Sequence, residues 1–234
     1  MKFSQHFKLG KSQAELDFVD IDPSEDLELY LDPYAIEIRN DDWSAECGDH
    51  IRSFFQAVLD ALRDDNLKEA THLVSNLSEP NETCFGVSSG KPSGRGVGSF
   101  QGGLILDALR NSVAFATGLL TDVAEAELFI EGIGRDKISD LTTNVIRGPL
   151  IAYTKTQCEL HGVPLKKVST AAVWRPSYRR WEATYATLPV IGRKPLLLVP
   201  KFSVRHRLSL ESQEFYNHHM LEYLRASTNL APAA

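Results

Sequence analysis

The chain has 234 residues, of which 43% are hydrophobic and 24% charged; this is ordinary globular usage and excludes a fibrous or largely disordered protein. The length suits one large α/β domain, alone or with an appended lobe. Net charge is −6, but its sign changes along the chain, which says more than the total. Residues 1–50 carry 13 acids against 4 bases, residues 51–84 carry 6 against 3, and residues 85–234 carry 12 against 18. From Arg147 to Arg207 there are 12 bases and only Glu159 and Glu182 as acids.

The opening MKFSQHFKLGKSQAELDF has no apolar run of signal-peptide length, and no window approaches the roughly 18 apolar residues of a membrane span. We expect neither a leader nor a membrane segment. Cys47, Cys84 and Cys158 are far apart and in no CxxC or CxxH spacing, against both a disulfide framework and a zinc site. A reducing cytoplasm is the expected setting.

Residues 1–43 hold short apolar runs broken by Asp22-Pro23 and Asp32-Pro33, pairs that favour turns and extended backbone. They read as an acidic arm or short strands. Their acids either solvate an exposed face, bind calcium, or shield the basic segment until a partner displaces them. From Ser44 to Asp64, Ile51, Phe54, Phe55, Val58, Leu59 and Leu62 recur at helical spacing, and a second helix is expected from Asn66, its N-cap, to about Leu77. Together these form a structural helical hairpin.

Gly86 to Gly103 contains seven of the 15 glycines, with Lys91 and Arg95. Glycine allows exposed amides to approach a phosphate before a helix start, so a phosphate loop is one reading and a surface loop the other. GxxxxGK[ST] is absent, because Pro92 follows Gly90-Lys91. An apolar-periodic helix follows, from about Ser99 to Leu120. Glu127 to Ile133 alternates as a strand does, placing Glu131 among apolar neighbours. Ser139 or Asp140 then reads as the N-cap of a helix interrupted at Gly148-Pro149, with a second helical piece from Leu150 to about Leu160, ended by Gly162 and Pro164.

Beyond that, Val168 to Trp174 is an expected strand. Arg175 to Tyr185 interleaves bases with aromatics, Leu196 to Val199 is a buried strand ending at Lys201, and a last amphipathic helix covers about Ser209 to Arg225. The fold class is therefore mixed α/β, a small mixed sheet flanked by several helices, with a single domain over 44–225 and a frayed tail over 226–234.

Two constellations carry chemistry. Glu131, Asp136 and Asp140 around a glycine-rich bend could hold one Mg²⁺ or Mn²⁺, with Lys201 as cationic partner; such a grouping activates water and stabilises charge developing on a phosphodiester. The structural alternative is that Asp140 caps a helix and that the other charges lie on the surface. The second constellation is basic: Lys166, Lys167, Arg175, Arg179, Arg180, Arg193 and Lys194 would neutralise phosphates of DNA or RNA while Trp174, Tyr178, Trp181 and Tyr185 stack on bases. It serves equally for the acidic N-terminal segment, an acidic protein partner or a homo-oligomer. Nucleophilic catalysis has little support, since GxSxG is absent and His218-His219 point to different faces of a helix.

The ISD and LLLVPK segments resemble the PD-(D/E)xK nuclease superfamily. The resemblance implies a variant core of that fold with Asp140 as the aspartate and Lys201 as the lysine; Val199 stands where an acid is expected, so Glu131 would supply the missing ligand. LGKSQAELDFVDI, EPNET, GIGRDKISDLTTN, LLLVPK and SQEFYN resemble an uncharacterised group of bacterial proteins of phage-defence and mobile-element loci. That second likeness implies a setting and no catalytic residue. The expected activity is nucleic-acid handling, as a metal-dependent nuclease or as a non-catalytic binding or assembly subunit, with a nucleotide-binding protein using the glycine-rich loop as a third reading.

Overall fold

The computed structural model describes residues 1–86, 98–112 and 134–206. The glycine-rich segment with Lys91 and Arg95, the expected strand with Glu131, the far half of the 99–120 helix, the 209–225 helix and the tail lie outside the described residues. Within them are seven helices: α1 (Phe3–His6), α2 (Pro33–Glu37), α3 (Asp42–Arg63), α4 (Leu67–Val74), α5 (Gly98–Asn111), α6 (Arg135–Val145) and α7 (Arg147–Leu160). The strands form four two-stranded antiparallel ladders: β1 (Tyr30–Leu31) with β8 (Val204–Arg205), β2 (Lys166–Ser169) with β5 (Tyr185–Leu188), β3 (Val173–Arg175) with β4 (Arg180–Glu182), and β6 (Val190–Ile191) with β7 (Lys194–Pro195). The fold is mixed α/β, its β component divided into separate ladders.

α3 forms where the apolar spacing places it. Asp41 caps it by accepting from the Ser44 amide at 2.9 Å, and its buried face includes Ile51, Phe54, Phe55, Val58, Leu59 and Leu62. Asn66 caps α4, accepting from the Glu69 amide at 3.2 Å. The N-terminal residues Phe3, Leu16, Phe18, Ile21, Leu31 and Ile36 belong to the same apolar cluster as α3 and α7.

The expected cap at Ser139 or Asp140 is corrected. Gly134 is the N-cap of α6, and both residues lie inside the helix. Its polar residues are occupied within the fold: Thr142 and Thr143 donate to the carbonyls of Ile138 and Ser139, and Ser139 Oγ accepts from the Leu31 amide at 2.9 Å. Proline also acts earlier than its position suggests. Pro149 has no amide for the Val145 carbonyl and its ring would clash there, so α6 stops at Val145 and α7 restarts after Ile146, where Pro149 occupies the first turn and no amide is needed.

The expected strand from Val168 to Trp174 is split into β2 and β3. Leu196, Leu197, Leu198 and Val199 are completely or almost completely buried, as expected of an apolar run, but they join no ladder. The amides of Leu196, Leu197 and Leu198 donate instead to the Pro189 carbonyl, the Glu82 carbonyl and Thr154 Oγ1, and the Val199 carbonyl accepts from Val19. A buried backbone must be satisfied somewhere; here several elements share the task, which locks the N-terminal segment, α7 and the hairpins onto one line of chain.

Candidate nucleic-acid interface

The carboxylates come together only in part. Asp136 and Asp140 are four residues apart on α6, on one helix face. Burial, then the negative charges of Asp136 and Glu79, push the Asp140 carboxyl up to about 8, so it keeps its proton at neutral pH. Lys201 is not among the charges acting on Asp140. It opens a 3₁₀ turn, and its Nζ donates to the carbonyls of Gln13 and Ala14 at 3.2 and 3.0 Å, tying down the N-terminal segment. Among the described residues no group of three or more His, Cys, Asp or Glu side chains is arranged to hold a metal ion. Glu131 lies outside them. The three cysteines are buried and free; burial raises all three thiols, Cys158 to about 12, so none is a ready thiolate.

The arginines of the β3–β4 hairpin are each paired with an acid of the same chain, two of them sharing one carboxylate. Arg175 and Arg180 share Glu182 at 2.9 and 3.0 Å, and Arg179 reaches Asp60 on α3 at 2.7 Å. Trp174 and Trp181 are not base-stacking platforms. Trp174 is fully buried, Trp181 donates to the Leu73 carbonyl at 2.8 Å, and both meet Phe54 edge-on with centroids 5.2 and 5.5 Å away. Indole rings bring a large apolar area into a core and find one hydrogen-bond partner each, and here they anchor the hairpin to α3.

What remains outward is a different set. Tyr178 and Tyr185 are each 69% exposed. Lys167 Nζ lies 5.1 Å from the Tyr185 ring centroid, and the Arg180 guanidinium lies 5.1 Å from that of Tyr178. In the β2–β5 register Lys166 faces Leu188 and Lys167 faces Thr187. Tyr185, Thr187 and Lys167 are exposed while Ala186 and Leu188 are buried, so alternation sends Tyr185, Thr187 and Lys167 to one outward face, whereas Lys166, also exposed, lies opposite Leu188 on the other. The β6–β7 hairpin follows β5 directly, with exposed Arg193 at its tip beside Gly192, whose φ of +64° suits the turn. Lys166, Lys167 and Arg193 have no acidic ion-pair partner among the described residues.

Sequence reasoning missed the ion pair of Arg147 with Glu82. Arg147 is completely buried; it donates to Glu82 Oε1 at 2.8 Å and to Asn144 Oδ1 at 3.3 Å, and its Nε has no partner among the described residues. Nothing in local sequence links residues 65 positions apart.

The model of a domain of unknown function, DUF8370, matches residues 8–211. The chain belongs to the DUF8370 family. The matched span takes in α6, α7 and all of the ladders, so both candidate constellations are within the family domain. No curated protein matches the chain, and no solved structure does.

Proposed function

We propose that the chain binds single-stranded nucleic acid through the outward face of the β2–β5 ladder and the β6–β7 hairpin, as a binding component of a bacterial defence or mobile-element system. The setting comes from the resemblance in its sequence to proteins of such loci. The reading rests on Tyr185, 69% exposed with the Lys167 ammonium 5.1 Å from its ring. An exposed ring beside unpaired cations supports bases by stacking and phosphates by charge, tolerates any sequence, and favours strands whose bases are already unstacked. Fluorescence anisotropy with single-stranded and duplex oligonucleotides tests it. Single strands should bind more tightly, and Tyr185→Ser should weaken them by about tenfold, the effect of losing one stacked base. Equal affinity of the variant and the parent would refute the interface.

Metal-dependent phosphodiester cleavage is the second reading, favoured by the Asp140 carboxyl, which is raised first by burial and then by repulsion from Asp136 and Glu79. A Mg²⁺ or Mn²⁺ ion, with Glu131 as a further ligand, would offset that repulsion. The ion competes with the Asp140 proton, so added Mn²⁺ should stabilise the parent protein near pH 9 and leave Asp140→Asn unaffected. A melting temperature unmoved by either ion contradicts this reading and leaves the binding surface standing.

A further inference from the structure

A cleft of about 590 Å³ lies between α3, the first turn of α7 and the β3–β4 hairpin, lined among others by Glu46, His50, Gly148, Arg175, Ser177 and Tyr178. Its size is that of a small-molecule site. Its walls are fixed: Trp174 Nε1 donates to Ser53 Oγ and Ser53 Oγ to the Pro176 carbonyl, both at 3.4 Å, and Arg179 bonds Asp60. The lining side chains, by contrast, keep unused hydrogen-bonding capacity.

His50 Nδ1 lies 2.9 Å from the Glu46 carbonyl. A carbonyl only accepts, so Nδ1 carries the proton, and in that tautomer Nε2 is the acceptor. That Nε2 is 4.0 Å from where a Cβ on Gly148 would stand. The Glu46 carboxylate is a second acceptor on the same wall, without a hydrogen-bond partner among the described residues. Across the cleft, Arg175 uses Nε for Glu182 while its two terminal amino groups have no partner among the described residues. Arg175 and Arg180 share the one carboxylate of Glu182, so this trio keeps one positive charge. Tyr178 adds an exposed aromatic ring with Arg180 over one face.

An anion donor, an aromatic shelf and two acceptors around one cleft match a phosphate, a flat base and the N–H edge of that base. We propose that the cleft takes one nucleoside monophosphate unit, its phosphate on Arg175, its base against Tyr178, and the N–H edge of the base on Glu46 and His50 Nε2. The unit is either a free nucleotide or the 5′ end of a bound strand, and in the second case the inference rests on the proposed function.

Calorimetry on the full chain with guanosine 5′-monophosphate, with guanosine, and with a single strand carrying or lacking a 5′-phosphate tests the assignment. The monophosphate should bind about tenfold or more tightly than the nucleoside, the effect of a charge-assisted hydrogen-bonded pair, and Arg175→Gln should remove that difference. Gly148→Leu places a side chain in open space beside His50 and replaces a poor helix former with a good one; it should stay folded and lose monophosphate binding by at least about tenfold. Tighter binding of the 5′-phosphorylated strand assigns the site to strand ends, and equal binding of the two strands assigns it to the free nucleotide. If the strand binds and the monophosphate does not, or if folded Gly148→Leu binds the monophosphate as the parent does, the cleft assignment is overturned while the strand surface stands. Failure of both ligands overturns both.

Discussion

Replacing Asp140 by asparagine tests whether burial among like charges governs α6. The carboxyl is raised from an ordinary 3.8 to about 8, while in the unfolded chain it titrates near its ordinary value of about 3.9. Between these values the unfolded state loses its proton and the folded state keeps it, so stability falls as pH rises from about 4 to about 8 and is level on either side. At 1.36 kcal/mol for each tenfold change in proton affinity the full effect is roughly 5–6 kcal/mol. Water entry and movement of Asp136 reduce the observable change to about 2–4 kcal/mol. Urea unfolding at a series of pH values measures it. The parent should lose this stability between about pH 4 and about pH 8, and Asp140→Asn, which has no proton to lose, should show a correspondingly flatter profile. Two parallel profiles would refute the argument.

Three further outcomes follow from the core and the surface. Glu82→Ala leaves the Arg147 charge buried without its carboxylate and should cost about 3 kcal/mol in chemical denaturation, most of it recovered when Arg147→Met is added. Trp174→Ala should cost roughly 3–5 kcal/mol, because it empties an indole-sized space against Phe54 and Trp181; stability equal to the parent would contradict the core assignment. Arg179→Ala should change stability by less than about 1 kcal/mol, since both partners of its ion pair are half-exposed and screened by water. A larger loss in thermal unfolding would show that this pair fixes the hairpin.

Periodicity made α3 and α4 legible, because a stripe such as Ile51, Phe54, Phe55, Val58 and Leu62 has only one way to be buried and Asn66 marks the start of α4; the expected start at Ser44 lies inside α3, which Asp41 caps. The helix break near Gly148-Pro149 was equally visible, though proline ends the helix through a carbonyl four residues upstream, and the boundary moved accordingly. The cap at Asp140 failed for a different reason. A glycine, which offers no side chain to a capping bond, starts α6; Thr142, Thr143 and Asn144 bond back along the helix, and Ser139 accepts from the distant Leu31 amide. Interleaved arginines and aromatics read as one binding surface because sequence does not reveal facing. In the fold, Trp174 and Trp181 turn inward, Glu182 and Asp60 hold the three arginines in ion pairs, and Lys166, Lys167, Tyr185 and Arg193 remain outside. The ion pair of Arg147 with Glu82 and the approach of His50 to Gly148 join residues distant in sequence, and only the folded chain brings them together.

The proposed interface has Lys167 and Arg193 meeting phosphates beside Tyr185. It is tested most directly by the salt dependence of single-strand affinity for the parent and for the variant with both cations replaced by alanine. Each lost phosphate contact on a single strand lowers the slope of log affinity against log salt by about 0.7, so the two together should lower it by about 1.4 and weaken binding across sequences. An affinity and a slope equal to those of the parent would contradict the account.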